Sequence, residues 1–400
     1  MNLKELMLTK INEIEDEIIS WRRYLHKHPE VSNEEEKTGY FVQEKLRSFG
    51  LDRILGNFAG TNGVIADIGK NNGKVVALRC DLDALPIFEK TKIPYKSKCD
   101  GKMHACGHDA HTSILLGIAR ILKENEDLIN GRIKLIFQPC EEVPNFRGAQ
   151  YLIDNGVLDN PKVDAIFALH VYPELEAGKI GTKSGPIFAS TDLFKITIKG
   201  KGTHSAQPHR GVDPIIMAAQ FISSLNHIVS RKIDPLLSSV ISIGKIRSGT
   251  AANIIPDEVL MEGTARALDL GLTKKLPLLI EETLKGICHV YGGEYELEYI
   301  KGTSPVINDD ELYQFSMNIL RNALGKDKII TLNRPTMGGE DFAEFLLNVP
   351  GVMFRLGTRN EEKGITYPLH SPNFDIDENS LKLGVFTLLY TALMYLNRSI

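Results

Sequence analysis

The 400-residue chain lacks several features that would each assign it to a class of protein. No stretch approaches the ~18 consecutive apolar residues that a membrane-spanning helix needs. There is no basic excess, since 47 lysines and arginines stand against 51 aspartates and glutamates. A nucleic-acid-binding surface normally requires such an excess. The first residues are charged throughout and carry no apolar signal-peptide core. We therefore expect a cytoplasmic protein that binds neither membranes nor nucleic acids.

Cysteine is also scarce, and its five copies form no disulfide framework. An odd number of cysteines without regular spacing is typical of a reducing compartment. Three of them, Cys80, Cys106 and Cys140, nevertheless lie within a few residues of clustered acids or histidines. This proximity requires an explanation, which the order of strands and helices supplies.

The first half of the chain alternates strand and helix patterns. Residues 1–50 carry apolar side chains mostly at helical spacing. Continuous apolar runs within residues 74–86, 131–142 and 163–171 predict buried strands, and residues 109–127 predict an amphipathic helix. This alternation predicts an α/β fold with a mostly parallel sheet that is covered by helices on both faces.

The pattern changes near Gly185, where the strands begin to alternate apolar and polar residues. Between about residues 187 and 302 the predicted order is strand, helix, strand, strand, helix, strand, which is typical of a ferredoxin-like α+β unit. Because 400 residues exceed one compact core, two domains are expected. Residues 1–186 and 303–400 are predicted to form the first domain, and residues 187–302 an inserted one.

Polar side chains gather where the predicted strands of the first domain end. The segment “CDLD” closes one strand, “CEE” closes the next, and His170 closes a third, while “HACGHDAH” begins a helix. In open α/β sheets, ligands bind at the carboxyl ends of the strands. Residues that are far apart in the sequence are therefore expected to meet at one edge of the sheet.

Four of these residues form a plausible ligand set for a metal ion. Cys106, His108, Glu142 and His170 offer a thiolate, two imidazoles and a carboxylate. This set suits Zn²⁺ or a related transition ion better than Mg²⁺ or Ca²⁺, which prefer oxygen ligands. Glu141 lies beside Glu142, so one acid is expected to bind the metal while the other acts as a general base.

Other roles for these residues explain less. A nucleophilic Cys106 paired with a histidine would leave Glu141, Glu142 and His170 without a role. A redox thiol would require a Cys-x-x-Cys motif or a resolving cysteine, and neither lies nearby. Taken alone, each residue also fits an ordinary structural role, such as a small buried cysteine. Their joint position at strand ends favours the metal site.

Several motifs resemble those of the M20 metallopeptidases, and most closely the amidohydrolase branch. They are “RCDLDALP”, “MHACGHDAHT”, “GKGTHSAQPHRGVDPI”, “GGEDFAEF” and “PLHSPNFDID”. That branch includes N-acyl-L-amino-acid amidohydrolases, hippurate hydrolases, plant auxin-conjugate hydrolases and some thermostable carboxypeptidases. The resemblance runs from about residue 22 to residue 380. It implies two divalent transition-metal ions (Zn, Mn, Co or Ni), bound by Cys106, His108, Glu142, His170 and His370.

The same resemblance implies roles for further residues. Glu141 matches the general base, and Asp83 matches an acid that lies behind a metal ligand and orients it. The insert resembles a lid that also forms the dimer contact, so we expect a homodimer or a higher homo-oligomer. His204 in this insert matches a histidine that reaches the scissile carbonyl, often from the neighbouring subunit.

Four more positions are implied to bind the substrate. Asn253 and Arg266 match residues that hold its carboxylate end, although they also fit a turn cap and an edge-strand charge. Gly338 and Gly339 are expected to let the backbone approach the substrate, although they also fit a turn at a helix start.

The implied reaction is hydrolysis of the amide bond of an N-acyl-L-amino acid, which releases the acyl group and the free amino acid. On the same site, a carboxypeptidase, an aminoacyl-dipeptide hydrolase or an N-acetyl-diaminopimelate deacetylase remains an alternative. A non-catalytic metal-binding or ligand-binding protein is a third. The sequence selects neither the metal nor the acyl group.

Overall fold

The computed structural model describes residues 2–143 and 148–398. The chain forms two compact units. The first unit consists of Met1–Gly185, Ile307–Arg334 and Glu344–Ile400, and the second of Pro186–Val306 and Pro335–Ala343.

The helices are, in chain order, α1 (Leu3–Glu13), α2 (Glu15–Lys27), α3 (Glu36–Ser48), α4 (His108–Glu124), α5 (Ala149–Asp154), α6 (Pro214–His227), α7 (Leu270–Tyr291), α8 (Asp310–Leu324), α9 (Phe342–Leu346) and α10 (Ser380–Leu396).

The strands are β1 (Ile54–Leu55), β2 (Val64–Gly69), β3 (Val75–Asp81), β4 (Arg132–Gln138), β5 (Ala165–Glu176), β6 (Ile180–Thr182), β7 (Gly185–Pro186), β8 (Asp192–Lys199), β9 (Thr203–His204), β10 (Ser239–Ser248), β11 (Ile254–Ile255), β12 (Glu258–Ala267), β13 (Glu294–Ile300), β14 (Ile307–Asn308), β15 (Ile329–Thr331) and β16 (Gly351–Arg359).

The helical pattern of residues 1–50 divides into three helices. Asn2 and Glu5 form a capping box that begins α1. α2 ends before His28, whose helical conformation is disfavoured because Pro29 follows it. α3 then restarts the helical path at Glu36. The periodicity identified the helical region. Pro29 explains the longer of its two interruptions, which separates α2 from α3.

A sheet of order β1-β2-β4-β3-β5-β16-β6-β15 forms the centre of the first unit. β3 pairs in parallel with β4 and β5, β16 with β5, and β15 with β6. The pairs β1–β2, β2–β4 and β16–β6 are antiparallel. Every residue of β3 is buried, so both faces of the sheet are covered at this strand. The predicted α/β class with a mostly parallel sheet is confirmed.

α4 and α10 contribute much of the core that covers this sheet. α4 is buried from His108 through Ala119, so its first turns have no solvent-exposed face. Burial of each large aliphatic side chain contributes roughly 1.5–3 kcal/mol. The polar residues at the start of α4 are therefore held in a rigid setting.

The second unit contains an antiparallel sheet of order β10-β12-β8-β13. Its apolar residues alternate along β8 and β12 and pack against α6 and α7. α6 begins with Asp213, whose side chain accepts hydrogen bonds from the backbone of Ile215 and Ile216, followed by a proline at the first helical position. The predicted α+β unit of ferredoxin-like strand order is confirmed.

None of the helices within residues 2–143 and 148–398 is both long and apolar enough to cross a lipid bilayer.

Candidate metal centre

Gly107 determines where α4 begins and how Cys106 and His108 are presented. Its φ of +83° lies in the left-handed region, which favours glycine. A Cβ at this position would also lie 2.5 Å from Cγ2 of Val171. Backbone conformation and lack of space therefore both require glycine between the two predicted ligands.

His108 is oriented by the loop that follows β3. Its Nδ1 donates to the backbone carbonyl of Asp83 at 2.7 Å. The Asp83 carboxylate in turn accepts from Ser32 Oγ at 2.6 Å and from the backbone N–H of Glu142 at 2.9 Å. His108 Nε2 is buried and has no hydrogen-bond partner among the described residues. This nitrogen is thus directed into the centre and is available to bind an ion.

His170 and Cys106 face each other. His170 Nδ1 donates to the backbone carbonyl of Val171 at 2.7 Å, which leaves Nε2 directed inward, 3.4 Å from Cys106 Sγ. Burial, followed by the neighbouring His111, lowers the pKa of His170 well below its usual value. The imidazole is therefore neutral, the form that binds metal ions.

The third histidine of the “HACGHDAH” segment, His111, supports the centre. His111 Nδ1 donates to Asp81 Oδ1 at 2.6 Å, and its Nε2 accepts from the backbone N–H of Val171 at 2.9 Å. Both ring nitrogens are thus occupied. Asp81 Oδ2 accepts from Arg79 at 2.8 Å. Sequence reasoning missed this pairing, since only the fold shows that β3, α4 and β5 meet here.

Glu142 and His370 complete the centre from two loops. Glu142 Oε1 is buried without a hydrogen-bond partner in the described residues, and it lies 3.9 Å from His108 Nε2 and 3.5 Å from His370 Nε2. His370 has a φ of 62° and donates its backbone N–H to the carbonyl of Ala105 at 2.8 Å. Its side chain is 53% exposed.

The predicted ligands form two overlapping groups. The inner group is Cys106, His108 and His170, and the outer group is Cys106, Glu142 and His370. In each group the potential ligand atoms lie within 4.8 Å of one another. Glu141, the predicted general base, forms a further group of the same kind with His108 and Glu142. Cys106 is common to the inner and outer groups, so the two groups are adjacent and suit two neighbouring ions.

The electrostatic field of the centre favours a cation. Burial opposes the charged form of His108, but the carboxylates of Asp81 and Asp83 outweigh it and raise its pKa to about 10. Burial and the carboxylates of Glu142 and Glu141 raise the pKa of the Cys106 thiol well above its usual value. A thiol, imidazoles and a carboxylate in such a field fit divalent transition metals.

The remaining predicted residues lie in the second unit. His204, in β9, accepts the backbone N–H of Ala206 at Nδ1, so its Nε2 carries the proton. The carbonyl of Asn253 accepts the backbone N–H of Ser205, next to His204. Arg266 Nη1 donates to the backbone carbonyl of Met337 at 3.1 Å.

Gly338 and Gly339 lie directly after Met337. The Gly338 carbonyl accepts the backbone N–H of Ala189 at 3.0 Å. A Cβ on Gly339 would lie 2.2 Å from Cγ2 of Thr191, so packing within the second unit by itself requires glycine there. That Gly338 and Gly339 let the backbone approach the substrate stays a prediction.

Comparison with known proteins identifies the family. The model of Peptidase family M20/M25/M40 matches residues 77–393. The chain belongs to this family. The M20 match spans the whole centre described above, from β3 to beyond His370.

Similar proteins cover most or all of the M20 chain. It is 41% identical over 399 residues to thermostable carboxypeptidase 2 of Saccharolobus solfataricus, with all of both chains covered. It is 44% identical over 309 residues to N-acyl-L-amino acid amidohydrolase of Geobacillus stearothermophilus, covering 77% of this chain and 82% of the other. A solved Bacillus subtilis structure, described as a dinuclear metal binding peptidase from the M20 family, has a TM-score of 0.84 and 35% identity, covering 96% of this chain and 99% of that one.

These findings confirm the resemblance seen in the motifs. The protein is a metal-dependent hydrolase of the M20 family, in its amidohydrolase branch.

Proposed function

We propose that this M20 hydrolase cleaves the amide bond of N-acyl-L-amino acids and releases the acyl acid and the free amino acid. The observation that carries the proposal is the pair of overlapping ligand groups, which share Cys106 and contain two buried polar atoms without hydrogen-bond partners in the described chain. Two divalent ions, Zn, Mn, Co or Ni, would be held by Cys106, His108, Glu142, His170 and His370.

When bound, the ions would supply Lewis acidity toward the substrate carbonyl and would lower the pKa of water. The chain's own residues then handle the proton. Glu141 directly precedes Glu142 and groups with His108, so it can accept a proton from the attacking water. It then delivers this proton to the leaving nitrogen, as a general base that becomes a general acid.

Residues of the second unit would bind the substrate. His204 keeps its Nε2 proton because Nδ1 accepts a backbone hydrogen bond, so it can donate to the carbonyl oxygen as negative charge develops. Arg266 and Asn253 would hold the free carboxylate of the substrate. At Gly338 and Gly339 the backbone would come close to the substrate. The resemblance to the M20 motifs supports the roles of Arg266, Asn253, Gly338 and Gly339.

The substitution Glu141→Gln tests the mechanism. We expect kcat to fall by ~10²–10⁴-fold, the usual contribution of a general base, while the metal content stays unchanged. Glu142→Gln is the matched control, because it removes a predicted ligand and should lower the metal content as well. Full activity of Glu141→Gln would exclude the proposed role.

A carboxypeptidase is the second candidate, because the 41% identical relative that is covered completely carries that name. Initial rates with N-acetyl amino acids, N-benzoyl amino acids, N-acetyl-diaminopimelate and dipeptides, each with Zn, Mn, Co or Ni restored, distinguish the candidates. Preference for the acyl amino acids supports the main proposal. A metal-loaded protein that is inert on the whole panel would favour the non-catalytic alternative.

We further propose a cytoplasmic homodimer, or a higher homo-oligomer, assembled through the second unit. The five cysteines are all free thiols, which suits a reducing compartment. Strand β10 lies at an edge of its sheet with Val240 and Ile246 exposed, as expected of a strand that pairs with another chain. Light scattering after size-exclusion chromatography would measure the assembly.

A further inference from the structure

Arg22 of α2 is a charged side chain with no exposed surface. Its three guanidinium nitrogens donate to three different carboxylates. Nε reaches Asp109 at 2.9 Å, Nη2 reaches Asp375 at 2.7 Å, and Nη1 reaches Glu378 at 3.1 Å. Fully buried arginines are rare unless they are paired in this way.

The three carboxylates belong to the two segments that carry the metal ligands. Asp109 directly follows His108 in the first turn of α4. Asp375 and Glu378 follow His370 in the segment between β16 and α10. One planar guanidinium therefore links the start of α4, which bears His108 of the inner group, to the loop that bears the outer ligand His370.

Each end of this link is fixed by a second partner. Tyr95 donates its hydroxyl to the other oxygen of Asp375 at 3.0 Å, and its ring lies 4.9 Å from the Arg22 guanidinium carbon. His26 Nδ1 lies 2.8 Å from the same Asp109 oxygen that Arg22 contacts. Asp109 and Asp375 are thus each held by two partners.

Helix packing alone does not account for an arginine here. Transfer of a charge to the interior costs several kcal/mol, and an apolar side chain of similar size would often pack at least as well. What arginine adds is three donors in a fixed plane, which lysine cannot supply. One arginine side chain can therefore join Asp109, Asp375 and Glu378 at the same time.

We infer that Arg22 is a positioning residue that sets the distance between His370 and His108 at the start of α4, so that binding of the second ion depends on it. The inference rests on the proposed two-ion site. His370 is half exposed and has a left-handed backbone. Its loop is also held by backbone hydrogen bonds to Ala105 and from Lys90 to Pro372, and these do not reach α4 itself.

The experiment titrates metal-free protein with Co²⁺ by calorimetry, together with visible absorption, for the wild type and three variants. Arg22→Lys keeps the charge but loses the three-way geometry. Asp375→Ala removes the shorter of the two contacts from Arg22 to the segment that follows His370, together with the Tyr95 contact, and leaves the Arg22–Asp109 pair intact. Arg23→Gln is the matched control, because Arg23 is the next residue, is 46% exposed and also bonds Glu378.

We expect the wild type and Arg23→Gln to bind two ions. Arg22→Lys and Asp375→Ala should bind the first ion normally and the second ~10–100-fold more weakly, the usual effect of losing a residue that orients a metal ligand. If Arg22 only stabilised the fold, the substitutions would lower the free energy of unfolding of the metal-free protein. They would not weaken binding of the second ion more than binding of the first.

The possible results are distinguishable. Two ions bound at wild-type affinity in a folded Arg22→Lys protein, or the same selective loss in Arg23→Gln, would overturn the inference. If Arg22→Lys does not fold, Asp375→Ala decides alone, since it keeps the buried ion pair. A wild type that binds fewer than two ions would instead refute the proposed dinuclear site.

Discussion

The inner and outer ligand groups differ in how the chain holds them. His108 and His170 are buried, lie on α4 and β5, and are each oriented by a hydrogen bond from Nδ1 to a backbone carbonyl. Glu142 and His370 lie in loops, and His370 is half exposed. The inner group is therefore formed before any ion arrives, whereas the outer group depends on how two loops are held. The first ion is expected to bind more tightly than the second.

The largest expected effect comes from the residue that both groups share. Cys106→Ala should lose both ions and on the order of 10³-fold in kcat/KM, since charge stabilisation of the transition state disappears. His370→Ala should lose only the second ion, because the inner group remains intact. Metal content by atomic emission, measured beside the kinetics, checks both variants.

Cys80→Ala is the matched control, because Cys80 is an equally buried cysteine outside both groups. It should retain two ions. If His370→Ala released both ions, or if Cys106→Ala kept one at full affinity, the division into inner and outer groups would be wrong.

Gly107→Ala tests how rigidly the inner group is held. The left-handed backbone and the 2.5 Å approach to Val171 should together lower the free energy of unfolding by about 1–3 kcal/mol. Gly178 also has a positive φ of 86°, but no atom lies within 4 Å of an added Cβ. Gly178→Ala should therefore lower the free energy of unfolding only through the left-handed backbone. Urea denaturation should show the larger loss for Gly107→Ala, and equal losses would mean that Val171 moves freely.

The smallest expected effect is a change of stability with pH that depends on His26, which contacts Asp109 next to His108. Burial opposes protonation of His26, but its contacts with Asp109 and Glu89 outweigh this and raise its pKa, against the opposing charge of Arg22. A histidine in an unfolded chain titrates near ~6.5. The stabilisation is therefore complete below this pH and is lost as pH rises through the higher folded pKa.

The measurement is the free energy of unfolding of metal-free protein between pH 6 and pH 9. It should decline with rising pH in the wild type and decline less in His26→Gln. Parallel curves for the two proteins would show that His26 does not gain a proton on folding.

Much of the fold could be predicted from local patterns. Continuous apolar runs identified β3, β4 and β5, because strands buried on both faces cannot alternate. The switch to alternation near Gly185 identified the second unit. Cys106, His108, Glu142 and His170 followed from the rule that ligands gather at strand ends. Their roles as ligands stay predictions, although the structure brings the four side chains together.

The rest depended on contacts that leave no local signal. His370 reaches the centre from a loop through a backbone hydrogen bond to Ala105, and only the family motif identified it. The Asp81–His111 pair and the links from Arg22 join residues that are 30, 87 and more than 350 positions apart. Periodicity reports the face that a residue occupies, and it cannot report the partner across the core.

The hydrogen bond from His370 to Ala105 joins two residues that are far apart in the chain, so the centre cannot be completed until late in synthesis. His370 lies about 200 residues after His170, because the whole inserted segment is made between them. At a synthesis rate of ~5–20 residues per second, roughly 10–40 s separate the emergence of the two histidines. A chain that is still being synthesised therefore lacks the outer group until almost the whole protein has been made.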